Sequence, residues 1–445
     1  MLANAIDVDA SEEEILLAAT NHDIEALKKL FETNDAKVQD ATTGFGPLHA
    51  AIASCEPDDE VDGETDKDGM GDAMTGVALG EDSALETVRL LFENGAIWNE
   101  LDDNDETPGC LALRLGLHKI YEAIVAAGVR AELLFSKLDE YQPIPDDVGP
   151  DEGEGEAVVD GNILPVAGDS EQKTIDDLEQ PQRATLEGAS AVIVEDATRA
   201  GAASQTERDV QPHDTEPIPS NPNVDNGAYL QSDLTYSGDR LLDSDKNAVM
   251  MDWETEIMKI SADKLCRGEK GLRTMNVGHG MGIVDEMFLA NDPAEHHIVE
   301  AHPQVITRMH EKGWFEKPNV IIHQGRWQDV LPQLVEQGLT LDAVYYDTYA
   351  EDYKDLKEFF DEYIIALLDS RGRFGFYNGL GADRQICYDV YTKVVEIHLD
   401  DAGLDVEWTD IAVPDLEGRG EWKGVRRAYW ANIKTYRLPT CKFVG

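Results

Sequence analysis

Beyond Asn226 the chain alternates short runs of β-branched and aromatic residues with stretches that repeat apolar residues at helical spacing, which commits it to an α/β domain with a mainly parallel sheet. The strand candidates are RTMNVG (273–278), HHIVEAH (296–302), NVIIHQG (319–325), LDAVYYDTY (341–349) and RFGFYNG (373–379). Helical stretches such as MGIVDEMFLAN, HPQVITRMHEKG and YKDLKEFFDEYIIALLDS lie between them. Each such helix carries the chain back along the sheet, so that successive strands run the same way. Two later runs, DVEWTDIAV (405–413) and AYWANIKTYRL (428–438), alternate apolar and polar residues and fit a closing antiparallel pair. Together they predict a seven-stranded sheet over residues 227–445 that binds its ligands at the carboxyl edge.

The first 135 residues carry a different pattern. DIEALKKLFETNDAKVQD, SALETVRLLFENGAIWNE and HKIYEAIVAAGVRAEL each place apolar residues at helical spacing beside a short polar or glycine turn. Gly95 and Gly128 stand 33 residues apart. Ahead of two of these helices are FGPLHAAIA and ETPGCLALRLG. Their Pro47, Leu48, His49 and Ala51, then Thr107, Pro108, Leu111 and Ala112, resemble the turn-plus-helix signature of ankyrin repeats, whose period is about 33 residues. The second copy departs from it, with Gly109 and Cys110 where Leu and His would stand. The resemblance implies an all-α ankyrin-like domain over 1–135, which either binds a protein partner on its concave face or caps the α/β part. A stretch near 56–82, rich in Asp, Glu and Gly, is expected to be a solvated loop inserted between units. Residues 136–226 are acidic, rich in Gly and Pro and nearly free of aromatics, the composition of an extended, disordered linker.

With 90 Asp and Glu against 37 Lys and Arg, the formal net charge of −53 repels nucleic-acid phosphates and anionic lipid and favours cationic partners. The same charge also suits solvated, disordered segments. The five cysteines, Cys55, Cys110, Cys266, Cys387 and Cys441, are scattered without close pairs, so reduced thiols in a cytoplasmic or nuclear protein are expected and no zinc site. No apolar run approaches the ~20 residues a membrane helix needs. With no apolar seam in evidence, the expected state is a monomer.

The first strand of the α/β part ends in MNVGHGMGI, which puts Gly278, Gly280 and Gly282 at a strand-to-helix turn where the backbone can approach a ligand and free N–H groups face it. A dinucleotide site would want a further glycine where Ile283 stands. The spacing instead favours S-adenosylmethionine, which has no pyrophosphate to cradle. Glu300, at the end of the second strand, is placed to accept hydrogen bonds from both ribose hydroxyls. Arg326, Trp327 and Gln328 follow the third strand beside the expected adenine pocket, where Trp327 is either a pocket wall or a core aromatic.

The fourth strand ends in YYDTY, which sets Asp347 at the carboxyl edge; upstream, VMMDWETEIM places Glu254 and Met258 on one helical face. A guanidinium keeps its proton up to a pH above ~12, so its nitrogens are poor nucleophiles until carboxylates orient them and take a proton. Glu254 and Asp347 are assigned to that pair, against the plainer readings of a turn residue and a solvated acid. Arg426 and Arg427, in GVRRAYW, either close the pocket or face solvent.

MMDWETEIM, GHGMGI, EAH, GRWQDV and YYDTY, in that order, resemble guanidinoacetate methyltransferase and its protein-directed relatives, the type IV protein arginine N-methyltransferases. The resemblance implies a Rossmann-like class I methyltransferase domain, with S-adenosylmethionine as its cofactor. Its implied cofactor contacts are Tyr236, Met258, Gly278, His279, Gly280, Met281, Gly282, Ile283, Glu300, Ala301, His302, Arg326, Trp327, Gln328 and Asp347. It also implies that Glu254 and Asp347 hold the guanidino group and that one methyl goes to the internal, δ nitrogen (N5) of an arginine. The implied substrate is a basic protein of the large ribosomal subunit; the alternatives are an enzyme for a small guanidino acid, as in the guanidinoacetate type, and an ankyrin adaptor with an inactive methyltransferase fold.

Overall fold

A computed structural model of the chain describes residues 4–56, 70–139, 226–431 and 433–445. Most of the expected linker, and residues 57–69 of the expected insertion, lie outside the described residues. The described residues cluster as one compact unit.

The N-terminal part is helical: α1 (Asn4–Thr20), α2 (Ile24–Leu30), α3 (Pro47–Ala53), α4 (Met70–Glu93), α5 (Pro108–Arg114) and α6 (His118–Asp139). The short helices α3 and α5 start alike, with a proline in the first turn, where a missing N–H costs nothing. Thr107 caps α5 by accepting from the Cys110 N–H at 3.2 Å, and His49 Nδ1 receives the Gly46 N–H at 3.3 Å. The expected loop near 56–82 needs correction, because α4 begins at Met70. Helix growth is cooperative, so the turns anchored by buried Ala84, Val88 and Leu91 extend back through the acidic stretch at little cost.

After α7 (Asn226–Leu230) comes a small antiparallel sheet of β1 (Thr235–Ser237), β2 (Arg240–Leu242) and β3 (Ala248–Met251). Helix α8 (Thr255–Cys266) leads into β4 (Arg273–Val277), α9 (Ile283–Ala290), β5 (Glu295–Glu300), α10 (Pro303–Glu311), β6 (Val320–Gln324), α11 (Trp327–Glu336) and β7 (Leu341–Tyr346). There follow α12 (Tyr353–Glu358), a π-helical turn at Phe359–Ile364, α13 (Ile365–Leu367), β8 (Leu368–Phe376), α14 (Gln385–Asp401), β9 (Leu404–Ala412) and β10 (Thr435–Phe443).

The seven strands of the main sheet lie in the order β6–β5–β4–β7–β8–β10–β9. The first five are parallel, and β10 runs antiparallel to both β8 and β9. Strand β4 is central and buried on both faces, as a parallel strand covered by helices must be. From β4 the chain builds outward through β5 and β6, then crosses back to β7 on the other side. The carboxyl ends of β4 and β7 therefore flank the place where strand order reverses, the usual crevice of such sheets.

Helix α14 joins the two halves. Ile386, Val390 and Val394 belong to one buried cluster with Leu111, Ile120 and Ile124 of α5 and α6. A β-carbon on Gly109 would lie 2.5 Å from the Ile386 side chain, so the glycine that breaks the repeat signature stands where α5 meets α14.

Candidate active site

The glycine turn after β4 is fixed by its neighbours. Gly278 has φ of 95°, and a β-carbon there would lie 1.9 Å from the Asp347 carbonyl oxygen. The Gly278 N–H donates to Val299 and the Asp347 N–H to Val277, both at 2.9 Å, so three strand ends converge. Glu300 is buried across the turn, where it accepts from the N–H groups of His279 at 2.8 Å, Gly280 at 3.4 Å and His302 at 2.7 Å.

Behind the turn lies a buried charge. Asp285, on α9, meets His279 Nδ1 at 2.6 Å and His296 Nε2 at 2.9 Å, and accepts from Asn276 at 3.0 Å. Burial alone would raise its pKa, but the charges and hydrogen bonds of the two histidines outweigh that and hold it down at about 2. The His279 ring is thus turned away from the turn's open side, edge-on to Trp314.

Gly278, Gly280, Glu300, Ala301, Arg326, Trp327 and Asp347 line one cavity, together with Tyr229, Met250, Tyr349 and Glu351. The free space is only about 60 Å³ with these side chains in place. Trp327 is both wall and core: its ring is 2% exposed and its Nε1–H donates to Glu351 at 3.0 Å. Gln328 donates to the same carboxylate at 3.3 Å, and the Tyr346 hydroxyl does so at 2.5 Å.

Other expected contacts fall elsewhere. Met258 is fully buried in the core behind α8 and lines neither central cavity. The His302 ring caps α10, its Nδ1 receiving the Gln304 N–H at 3.2 Å, while Nε2 lies 3.1 Å from the Tyr229 carbonyl oxygen. Gly282 caps the start of α9, and Ile283 begins that helix and packs on its core. Met281 and the His279 side open on a separate small pocket beside Arg308 and Trp314. Tyr236 donates its hydroxyl to the Gly280 carbonyl at 3.3 Å, with the Arg308 guanidinium 3.9 Å over its ring.

A second cavity, of about 480 Å³, adjoins the first and shares Asp347 with it. Glu254 comes to its wall from the turn after β3. The Met251 N–H donates to one Glu254 oxygen at 3.1 Å and the Tyr429 hydroxyl to the other at 2.7 Å. Trp253 in turn donates its indole N–H to Tyr429 at 2.8 Å. Burial drives the Glu254 carboxyl up to about 7 against the pull of these hydrogen bonds. Asp347 is pushed well above the usual carboxylate range, by burial first and then by the Glu254 charge, and its Oδ2 is buried with no hydrogen-bond partner among the described residues. Two acids so placed resist ionising together until a cation joins them. Arg426 is exposed near Asp245, at 3.9 Å, and neither it nor Arg427 lines the cavity.

The family model of guanidinoacetate N-methyltransferase matches residues 228–401. A protein arginine N-methyltransferase 2 of Aspergillus fumigatus is 51% identical over 448 residues, covering 98% of this chain and 97% of the relative. Its namesake in Aspergillus oryzae is also 51% identical, over 99% and 98%, and that of Neurospora crassa 43% identical, over 97% and 95%. The chain belongs to the protein arginine N-methyltransferase 2 family. As a member it is an arginine N-methyltransferase, with S-adenosylmethionine as methyl donor.

The residues present suit that donor. In the smaller cavity Glu300 is a carboxylate able to accept from vicinal hydroxyls, Trp327 is a flat apolar wall, and Gly278 leaves the backbone bare at the turn. When bound, S-adenosylmethionine supplies an electrophilic methyl on a sulfonium. Beside that turn the chain sets Glu254 and Asp347, with Tyr377 and Tyr429, on the wall of the larger cavity, an arrangement able to hold a guanidinium and to accept a proton. The sequence reading missed Tyr429 and Glu351. Tyr429 stands 175 residues after its partner, and no local pattern announces such a pair.

Proposed function

We propose that this protein places a single methyl on the internal, δ nitrogen (N5) of an arginine side chain in a basic protein of the large ribosomal subunit. The observation that carries the reading is Glu254 and Asp347 on the wall of one cavity next to the glycine turn. Carboxylates that grip the two terminal nitrogens leave the internal nitrogen as the one not engaged by the enzyme. The likeness to the guanidinoacetate enzyme model supports the same two-acid scheme. The N-terminal helices are read as ankyrin-like repeats, and the site of action as cytoplasm and nucleus.

The lining favours a peptide-borne arginine over a free guanidino acid. Glu254, Asp347, Glu351, Asp352 and Asp383 face the cavity, and among the described residues no Lys or Arg does. A substrate bringing its own carboxylate would meet repulsion with no cation to answer it. The test is to incubate the protein with labelled S-adenosylmethionine and large-subunit ribosomal proteins, then locate the methyl by fragmentation mass spectrometry. A methyl on a terminal nitrogen rules out the N5 assignment, and preferred turnover of guanidinoacetate rules out the protein substrate.

A further inference from the structure

A further cavity lies outside the reaction centre, in a groove of about 910 Å³ between α6, α14 and the starts of β9 and β10. Its floor is apolar, formed by Val125, Val129, Ile397, Leu404 and Val406. Its rim is acidic. Asp389 is already matched: Arg437 lies 2.7 Å from it, and the Tyr121 hydroxyl donates to it at 2.6 Å. Asp405 faces Lys442 at 3.5 Å. Glu122, Glu396 and Asp400 are exposed and form no ion pair with any described residue, while Lys393 is the remaining rim cation.

Three occupants compete for such a groove, and charge separates them. A second copy of this chain brings a net −53 of its own. The segment that follows α6 contains DDVGPDEGEGE, also acidic. Both are repelled by unpaired carboxylates, whereas a protein rich in Lys and Arg is drawn to them and can lay the apolar stems of those side chains on the floor. On α14, Cys387 and Tyr391 line the catalytic cavity, whereas Lys393, Glu396, Ile397 and Asp400 line the groove. The groove therefore engages a part of the partner separate from the reacting arginine.

We propose that this groove is an exosite that docks a basic stretch of the protein substrate away from the arginine being methylated. The inference rests on the reading that the substrate is a basic protein. The test uses the full chain and the double charge reversal Glu122→Lys with Glu396→Lys, both at exposed positions outside the catalytic machinery. For large-subunit ribosomal proteins as substrate, KM is expected to rise about tenfold, with kcat little changed. KM for a short arginine peptide and affinity for S-adenosylmethionine are expected to stay at wild-type values. Polylysine, which carries no guanidino group, should inhibit the wild type competitively against the protein substrate and lose that effect on the variant. An unchanged KM for the protein, or an equal rise for the short peptide, overturns the exosite. So does polylysine binding that strengthens when residues 142–215 are removed, since the chain's own segment would then be the occupant. Salt-reversible dimers of the wild type that the double variant fails to form overturn it too. Failure of the wild type to methylate any arginine-bearing protein or peptide instead strikes the parent reading.

Discussion

At the scale of single residues, the site depends on carboxylates held where they ionise with difficulty. Asp347→Asn keeps the shape but removes the proton acceptor, so kcat is expected to fall about 10²–10⁴-fold while calorimetry still detects S-adenosylmethionine binding. Wild-type turnover in that variant would remove Asp347 from the chemistry. Tyr429 gives a sharper test through pH. Its hydroxyl stabilises the anion of Glu254, whose carboxyl burial has raised from 4.5 to about 7. Without the donor the pKa climbs further, so in Tyr429→Phe the acid limb of the kcat/KM profile should move about one to two units towards higher pH. A uniform loss of rate with no movement of the limb would mean a purely structural role. The folding linkage has the opposite sign: a carboxyl raised on folding destabilises the native state as pH climbs from 4.5 to about 7, the window in which activity switches on. That Glu254 and Asp347 would stand near each other was legible because each lies in a local motif, and both line one cavity. The aim of the His279 ring was not, since it is set by buried Asp285 and by His296 on a neighbouring strand.

At the scale of elements, period and turn chemistry carried far. Alternation of strands and helices gives the mainly parallel sheet and its closing antiparallel pair, whereas the strand order that sets the glycine turn and Asp347 at the reversal comes from packing. Two consequences of packing were hidden. Helix α4 runs through part of a stretch whose composition reads as loop, because buried contacts further along anchor it. The small sheet β1–β3, which carries Met250 over Gly280, has strands of three or four residues, too short to show a period. The glycines of the turn are not equivalent. At Gly278 a side chain would strike backbone, so Gly278→Ala should cost about 2–4 kcal/mol and abolish cofactor binding. At Gly280 it would meet the flexible tip of Met250, so Gly280→Ala should cost nearer ~1 kcal/mol, mostly through its positive φ. Equal losses in thermal melts of the two variants would contradict this account.

At the scale of the whole molecule, the sequence divides into parts that the structure joins. Composition shows where one pattern stops and another begins. It does not show that α14 shares a core with α5 and α6, because that contact joins residues more than 250 positions apart, such as Tyr121 and Asp389. A second link ends at the larger cavity beside the glycine turn, where the Tyr391 hydroxyl donates to Glu132 of α6 at 3.1 Å. Calorimetry is therefore expected to show the helical layer and the methyltransferase fold melting in one transition. Ile386→Ala should lower that transition by about 2–4 kcal/mol. Two resolved transitions, with only one moved by the substitution, would show independent modules. The shared strip of Ile386, Val390 and Val394 also bears on anyone who trims this protein to its catalytic half. Truncation would turn a greasy seam outward, and the fragment would clump or be degraded before its chemistry could be judged.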